Sequence, residues 1–201
     1  MINSKPKKRL ILVVPIFPKL SETFIVSKFL GLLERKWDVH VVCHQKGLLE
    51  LSGFPGLQKI PDLNKQIHVD WPSNPHWMAG MLMIPALVKG FLSAPKTTWT
   101  YLTRGYKRFG LGVFKRYYLD LNLICLQPDV IHFEFGSLVV GRTYLKDLLT
   151  SKLSVSFRGY DLNFSGLDKP GYYDEVWQNI DAAHFLGNDL WQRAQKRAPA
   201  H

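Results

Sequence analysis

The chain lacks most of the signatures that announce a particular chemistry. It has two cysteines in 201 residues, Cys43 and Cys125. Each lies in an apolar run, VHVVCH and LNLICL, which suits two buried thiols in a reducing compartment better than a disulfide. No Cys or His spacing fits a zinc site, so no metal is expected. There is no phosphate-binding loop ending in Gly-Lys-Ser/Thr, no Ser-His-Asp order and no GxGxxG. The first candidate ligand loop, PIFPKLSE, contains no glycine, which argues against a nicotinamide or flavin enzyme. No long hydrophobic run is present. The most apolar segment, WMAGMLMIPALVKGFL from Trp77 to Leu92, is short for a membrane span and is interrupted by Pro85 and Lys89. The basic opening, MINSKPKKRL, leads straight into a strand-like run, so neither a signal peptide nor an N-terminal anchor is expected.

Acid is the most unevenly missing component. From Trp71 to Leu119 there is no Asp or Glu, while Lys89, Lys96, Arg104, Lys107, Arg108, Lys115 and Arg116 make up most of the net charge of +10. An anionic partner follows: a lipid head group, a phosphorylated acceptor or nucleic acid. Trp99, Tyr101, Tyr106, Phe109, Phe114, Tyr117 and Tyr118 alternate with these cations, as interfacial segments do. Lys107, Arg108, Lys115 and Arg116 are the candidate contacts with an anionic membrane surface. The same interleaving would suit single-stranded nucleic acid, but no recognised motif supports it, and nucleic acid is not the expected partner. A bland alternative is a solvated basic face over a buried helix.

What is present is the alternation of an α/β domain. With 46% hydrophobic and 21% charged residues, the chain can build an ordinary core. Leu10 to Val14 is an unbroken apolar run of strand length, as in a strand buried on both faces. Phe17-Pro18-Lys19-Leu20 breaks it. Ser21 is placed to cap a helix running to about Glu34, with Glu22 in its first turn. Trp37 to Cys43 is the next strand, so a βαβ unit with a parallel pair is expected. Gly47 to Asn64 reads as a surface excursion and Ile67 to Trp71 as a short strand. Trp77 to Leu92 reads either as a helix packed inside the domain and kinked at Pro85 or as a surface helix touching a bilayer. Thr97 to Leu123 reads as one or two helices weakened by Gly105, Gly110 and Gly112. Further strands are expected at Val130–Phe133, Leu153–Phe157 and Ala182–Leu186. Helices are expected at Leu138–Thr150, at Asp174–Ile180, and from Asn188 or Asp189 to near Arg197. The expected fold is one doubly wound parallel α/β domain, Rossmann-like, covering residues 1–201.

Three strand ends carry polar clusters that no packing requirement explains. They are Lys19-Leu20-Ser21-Glu22-Thr23, His132-Phe133-Glu134 and Arg158-Gly159-Tyr160-Asp161. In a parallel sheet these ends share one edge and can converge on one cleft. His132 and Glu134 point the same way, because strand side chains alternate. Free backbone N–H groups after the first strand would suit phosphates or carboxylates. Each residue also has a plain reading: a core histidine for His132, a surface turn for Arg158 and Gly159, a helix cap for Asp161.

Pro15 to Ile25 (PIFPKLSETFI) closely resembles the opening of family 4 glycosyltransferases of the GT-B fold. Members that build bacterial surface polysaccharides often carry an FPxxSETF-like segment. Asp129 to Phe135 (DVIHFEF) looks like their D-x-I-H-x-H-F strand, and Ser156 to Asp161 (SFRGYD) like their HGxD segment. Ala183 to Asn188 (AHFLGN) resembles the last strand and helix of their N-terminal domain. The segments come in family order over nearly the whole chain. Glu134 and Arg158 stand where the family often has histidines, so roles given to those histidines do not transfer. The resemblance implies the N-terminal, acceptor-side half of a retaining enzyme that moves a sugar from a nucleotide-sugar to a polysaccharide or lipid-linked acceptor. The C-terminal donor-binding domain is expected to be absent, so the chain alone would bind no cofactor, and the missing domain or chain becomes an expected partner. Lys19, Ser21, Glu22 and Thr23 would face donor and acceptor across the cleft. His132, Glu134, Arg158, Gly159 and Asp161 would line the acceptor side. No catalytic residue is assigned. A cytoplasmic protein, peripheral at the inner face of the membrane, is implied. The contrasting reading is a non-catalytic module that binds anionic membrane through residues 71–119.

Overall fold

A computed structural model of the protein describes residues 8–74 and 76–198. Most of the basic opening, residues 1–7, lies outside the described residues. Six strands form one sheet: β1 (Arg9–Phe17), β2 (Asp38–Lys46), β3 (Ile67–Val69), β4 (Val130–Phe133), β5 (Lys152–Phe157) and β6 (Ala182–Phe185). Their order is β3-β2-β1-β4-β5-β6 and every pairing is parallel, which is the doubly wound, Rossmann-like arrangement. The chain winds outward from β1 to β3, crosses back, and winds outward again from β4 to β6. The switch between the two halves lies between β1 and β4.

The two faces of the sheet carry separate cores. Leu12 and Val14 of β1 point to one face, where α1 (Thr23–Glu34) and α2 (Pro55–Gln58) supply Ile25, Val26, Phe29 and Leu57. Ile11 and Val13 point to the other, and the remaining helices pack there. They are α3 (His76–Ser93), α4 (Pro95–Phe109), α5 (Gly112–Leu119), α6 (Leu121–Leu126), α7 (Leu145–Leu149), α8 (Gly159–Asn163), α9 (Asp174–Asn179) and α10 (Asn188–Lys196). This division follows from right-handed crossovers in both halves. As a result, no buried apolar residue of β4, β5 or β6 belongs to the core under α1 and α2. That half of the sheet face is free to carry polar side chains.

Several local expectations change. Ser21 does not cap the first helix. Leu20–Glu22 forms a 3₁₀ turn and α1 begins at Thr23 without a side-chain cap. Neither Asn188 nor Asp189 caps α10, whose N-cap is Gly187. The helix expected over 138–150 shrinks to Leu145–Leu149, because Gly141 takes a left-handed φ of +70° that ends any run begun at Leu138. Gly110, at φ +55°, separates α4 from α5. Both cysteines are free, with Cys43 buried and its thiol pushed up to about 11 by burial.

The segment around Pro85 is a single helix, and it is buried on one side only. Ala86 and Gly90 face the core, where the Tyr117 hydroxyl donates to the Ala86 carbonyl at 3.1 Å. Trp77, Met81, Ile84, Val88 and Leu92, at alternating helical spacing, are all exposed. Among the described residues no helix is long and apolar enough to cross a membrane.

Candidate functional site

The site begins with strand alternation. In β4, Ile131 and Phe133 enter the large core, so His132 and then Glu134 turn to the half-face left without a helix of its own. Parallel register places His132 beside Ser154 of β5 and Ser156 beside His184 of β6. Polar side chains from three strands thus share one side, next to the switch point.

Glu134 is the centre of this group and has no exposed side-chain surface. Lys28, reaching over from α1, places its ammonium 2.8 and 2.9 Å from the two carboxylate oxygens. Arg158, just after β5, donates to the same carboxylate at 3.0 Å. The Arg158 guanidinium also lies 4.1 Å from the Phe24 ring centroid, joining the start of α1 to the end of β5. Its Nε is buried without an acceptor among the described residues. One buried carboxylate between two cations leaves the group net positive. Burial, the dominant cause, lowers the Lys28 pKa against the opposing pull of Glu134.

His132 is kept neutral. Its pKa falls to about 3, first from burial and then from Lys28, His184 and Arg158. The Lys28 ammonium has no lone pair and lies 3.0 Å from Nε2, so Nε2 must accept. The proton then sits on Nδ1 and is donated to the Ser154 hydroxyl at 2.7 Å. Ser156 Oγ lies 3.1 Å from His132 Nε2 and 3.2 Å from His184 Nδ1, which carries the network to exposed His184 on β6.

The structure therefore brings His132, Glu134 and Arg158 together, but it gives other expected site residues different roles. Asp161 is buried, and its two oxygens accept the backbone N–H groups of Arg158 and Ser137 at 2.9 and 3.0 Å. It ties the α8 turn to the loop after β4 and acts as the cap that the plain reading allowed. Gly159 opens α8. Lys19 and Glu22 pair with each other at 2.7 Å. Two of the loop N–H groups are also occupied: Leu20 donates to Glu50, and Glu22 to the Lys19 carbonyl. Ser21 and Thr23 remain exposed at the edge. Lys28, Ser154, Ser156 and His184 are the members that sequence reasoning missed. The alternation Ser154-Val-Ser156 was a legible signal of a strand with one polar face; a mid-helix lysine carries none.

A second feature lies at the same sheet edge on the opposite face. A cleft of about 720 Å³ opens between the ends of β2 and β3, α5, and the loop after β4. His44, Asp70, Lys115, Arg116, Ser137 and Arg142 are among its lining residues. Asp120, fully buried in its floor, accepts from Arg142 at 2.7 Å and from the Tyr101 and Tyr144 hydroxyls, each at 2.8 Å. His44 meets Asp70 at 2.7 Å, and that contact raises the His44 pKa. The expected membrane-contact residues disperse. Lys115 and Arg116 line this cleft, Arg108 pairs with Asp147 at 3.3 Å, and Lys107 is exposed at the end of α4.

Among the described residues no group of three or more His, Cys, Asp or Glu side chains is placed to hold a metal ion. The chain matches no protein-family model, no curated protein and no solved structure.

Proposed function

We propose that this domain is the acceptor-side half of a retaining GT-B glycosyltransferase, holding a hydroxyl-bearing acceptor while a sugar is delivered from a nucleotide-sugar. The observation that carries the reading is the polar group on β4, β5 and β6 at the switch point, built on segments that resemble family 4 enzymes. Exposed His184 offers a hydrogen-bonding partner to sugar hydroxyls, and the buried Ser156 hydroxyl, 3.2 Å from its Nδ1, links it to neutral His132. The Lys28–Glu134–Arg158 network fixes them in place. Catalysis in such an arrangement rests on positioning and on stabilising the departing diphosphate. Two N–H groups of the loop after β1, those of Leu20 and Glu22, are already paired and do not reach that diphosphate. The donor is assigned to a second domain or chain.

Ligand-observed NMR tests the reading. Mono- and oligosaccharides should give saturation transfer that falls in His184→Ala, whose exposed side chain can be removed without opening the core. Nucleotide-sugars should bind far more weakly, and the protein alone should give no glycosyl transfer with a panel of donors and lipid acceptors. Robust turnover by this chain, or saccharide signals indifferent to His184, would overturn the assignment.

A second reading is favoured by one feature, the exposed apolar stripe of α3. Trp77, Met81, Ile84, Val88 and Leu92 form a face suited to the boundary of an anionic bilayer, and the span from Trp71 to Leu119 opposes no acid to it. In this reading α3 supplies the apolar contact and Lys107, Arg108, Lys115 and Arg116 remain the candidate basic contacts. Vesicle sedimentation should show binding to anionic but not neutral lipid, weakening with salt. Met81→Glu with Ile84→Glu should abolish it. Undiminished binding by that double variant would remove α3 as the contact.

A further inference from the structure

The cleft on the opposite face contains more positive charge than its own acids neutralise. Asp120 is matched by Arg142, and its remaining oxygen is satisfied by Tyr101 and Tyr144. Asp70 is engaged by His44 and, at 3.4 Å, by the Asn122 amide. Lys115 and Arg116, consecutive on α5, have no carboxylate within ion-pair distance among the described residues. Arg116 lies over the Phe109 ring, its guanidinium carbon 3.9 Å from the centroid, and donates to the Gly112 carbonyl at 3.4 Å, contacts that order the fork in advance of any ligand. Ser137 also lines the cleft.

Two uncompensated cations in a walled recess match a dianion. A phosphate monoester carries a charge of about −1.5 to −2 at neutral pH and presents three acceptor oxygens. The cleft, at about 720 Å³, is within the size range of small-molecule sites and much larger than a phosphate alone. Trp71, Leu119, Leu138 and Tyr144 give it an apolar wall for the remainder of the molecule. A second recess of about 540 Å³ shares Lys115 and Leu119 with it and continues along Ala79, Met83 and Tyr118.

We infer that this cleft is a binding site for a phosphate monoester, with Lys115 and Arg116 as its charge partners and Arg142 as the fixed floor. The phosphate is carried either by a soluble molecule or by a lipid whose apolar part follows the second recess. The site is independent of the glycosyl-transfer reading, since phosphate binding requires neither a donor nor a saccharide.

Calorimetric titration of the whole chain with inorganic phosphate, at constant ionic strength balanced with chloride, tests it. One phosphate should bind per chain. Lys115→Ala, an exposed substitution, should weaken binding about tenfold or more, the value of one charge-assisted hydrogen bond. Arg116→Gln should act alike, and Lys107→Ala, outside the cleft, should not. Glycerol 3-phosphate binding more tightly than inorganic phosphate identifies a soluble ester as the source. Lys115-dependent sedimentation with phosphatidic acid vesicles, beyond that with phosphatidylcholine alone, identifies a lipid source. Phosphate binding no better than chloride, unchanged binding in Lys115→Ala, or an equal loss in Lys107→Ala would each refute the site.

Discussion

Neutral His132 ties the stability of the domain to pH in a direction that can be worked out beforehand. Burial lowers its pKa from the ordinary 6.5 to about 3. The unfolded chain therefore binds the proton more readily than the folded one between these values, and stability falls as the pH drops through 6.5. For an unfolded pKa of ~6.5, the contribution of this one group changes by about 1.9 kcal/mol between pH 7 and pH 5. The figure is nearly insensitive to the folded value, because at pH 5 the folded imidazole is almost wholly neutral for any pKa of about 4 or below. The melting temperature should follow by about 4–8 °C for a chain of this length. His68, pushed down to about 4 mainly by burial, acts in the same direction, and His44, raised by Asp70, acts against it. Comparing the wild type with His132→Asn removes these common contributions. Urea unfolding at pH 7 and pH 5 should show the variant losing about 1.9 kcal/mol less than the wild type over the interval. Equal losses in the two proteins would refute the neutral, buried assignment of His132.

Glu134→Gln leaves Lys28 and Arg158 facing each other without a carboxylate. It should cost about 3 kcal/mol in denaturant unfolding, the low end for a broken buried pair because both cations keep some contact with water. Gly136→Ala would put a Cβ 2.6 Å from the Phe157 ring, which is stacked against Trp177 and Phe185 and cannot retreat. A loss of about 1–3 kcal/mol is expected by the same assay, from overpacking. Tyr101→Phe removes one of the two hydroxyls on the buried Asp120 carboxylate and should cost about 1.5–3 kcal/mol, while Tyr117→Phe, which removes a neutral bond to the Ala86 carbonyl, should cost nearer 1 kcal/mol.

The sequence alone determined the strands and their parallel arrangement. VIHF after Gln127-Pro128-Asp129 is a four-residue strand with the predicted bounds. The apolar run at Leu10 lies within β1, and the strand–helix–strand succession to Cys43 implied a parallel pair that the β1–β2 register bears out. These features are local: a run of apolar residues bounded by turn residues has few other stable forms. The side of the sheet on which His132 and Glu134 appear together was also legible, since alternation is a property of one strand. Tertiary structure decided what stands beside them. Lys28 meets Glu134 across 106 residues of chain, because α1 lies over the switch between β1 and β4. Ser154, Ser156 and His184 join only when parallel register aligns three strands whose spacing in sequence carries no such information. The phosphate cleft draws its walls from β2, β3, α5 and the loop after β4, so no single stretch contains its pattern. The exposed stripe of α3 likewise depended on which side of an almost uniformly apolar helix met Tyr117, and composition cannot orient a helix whose two sides are equally hydrophobic.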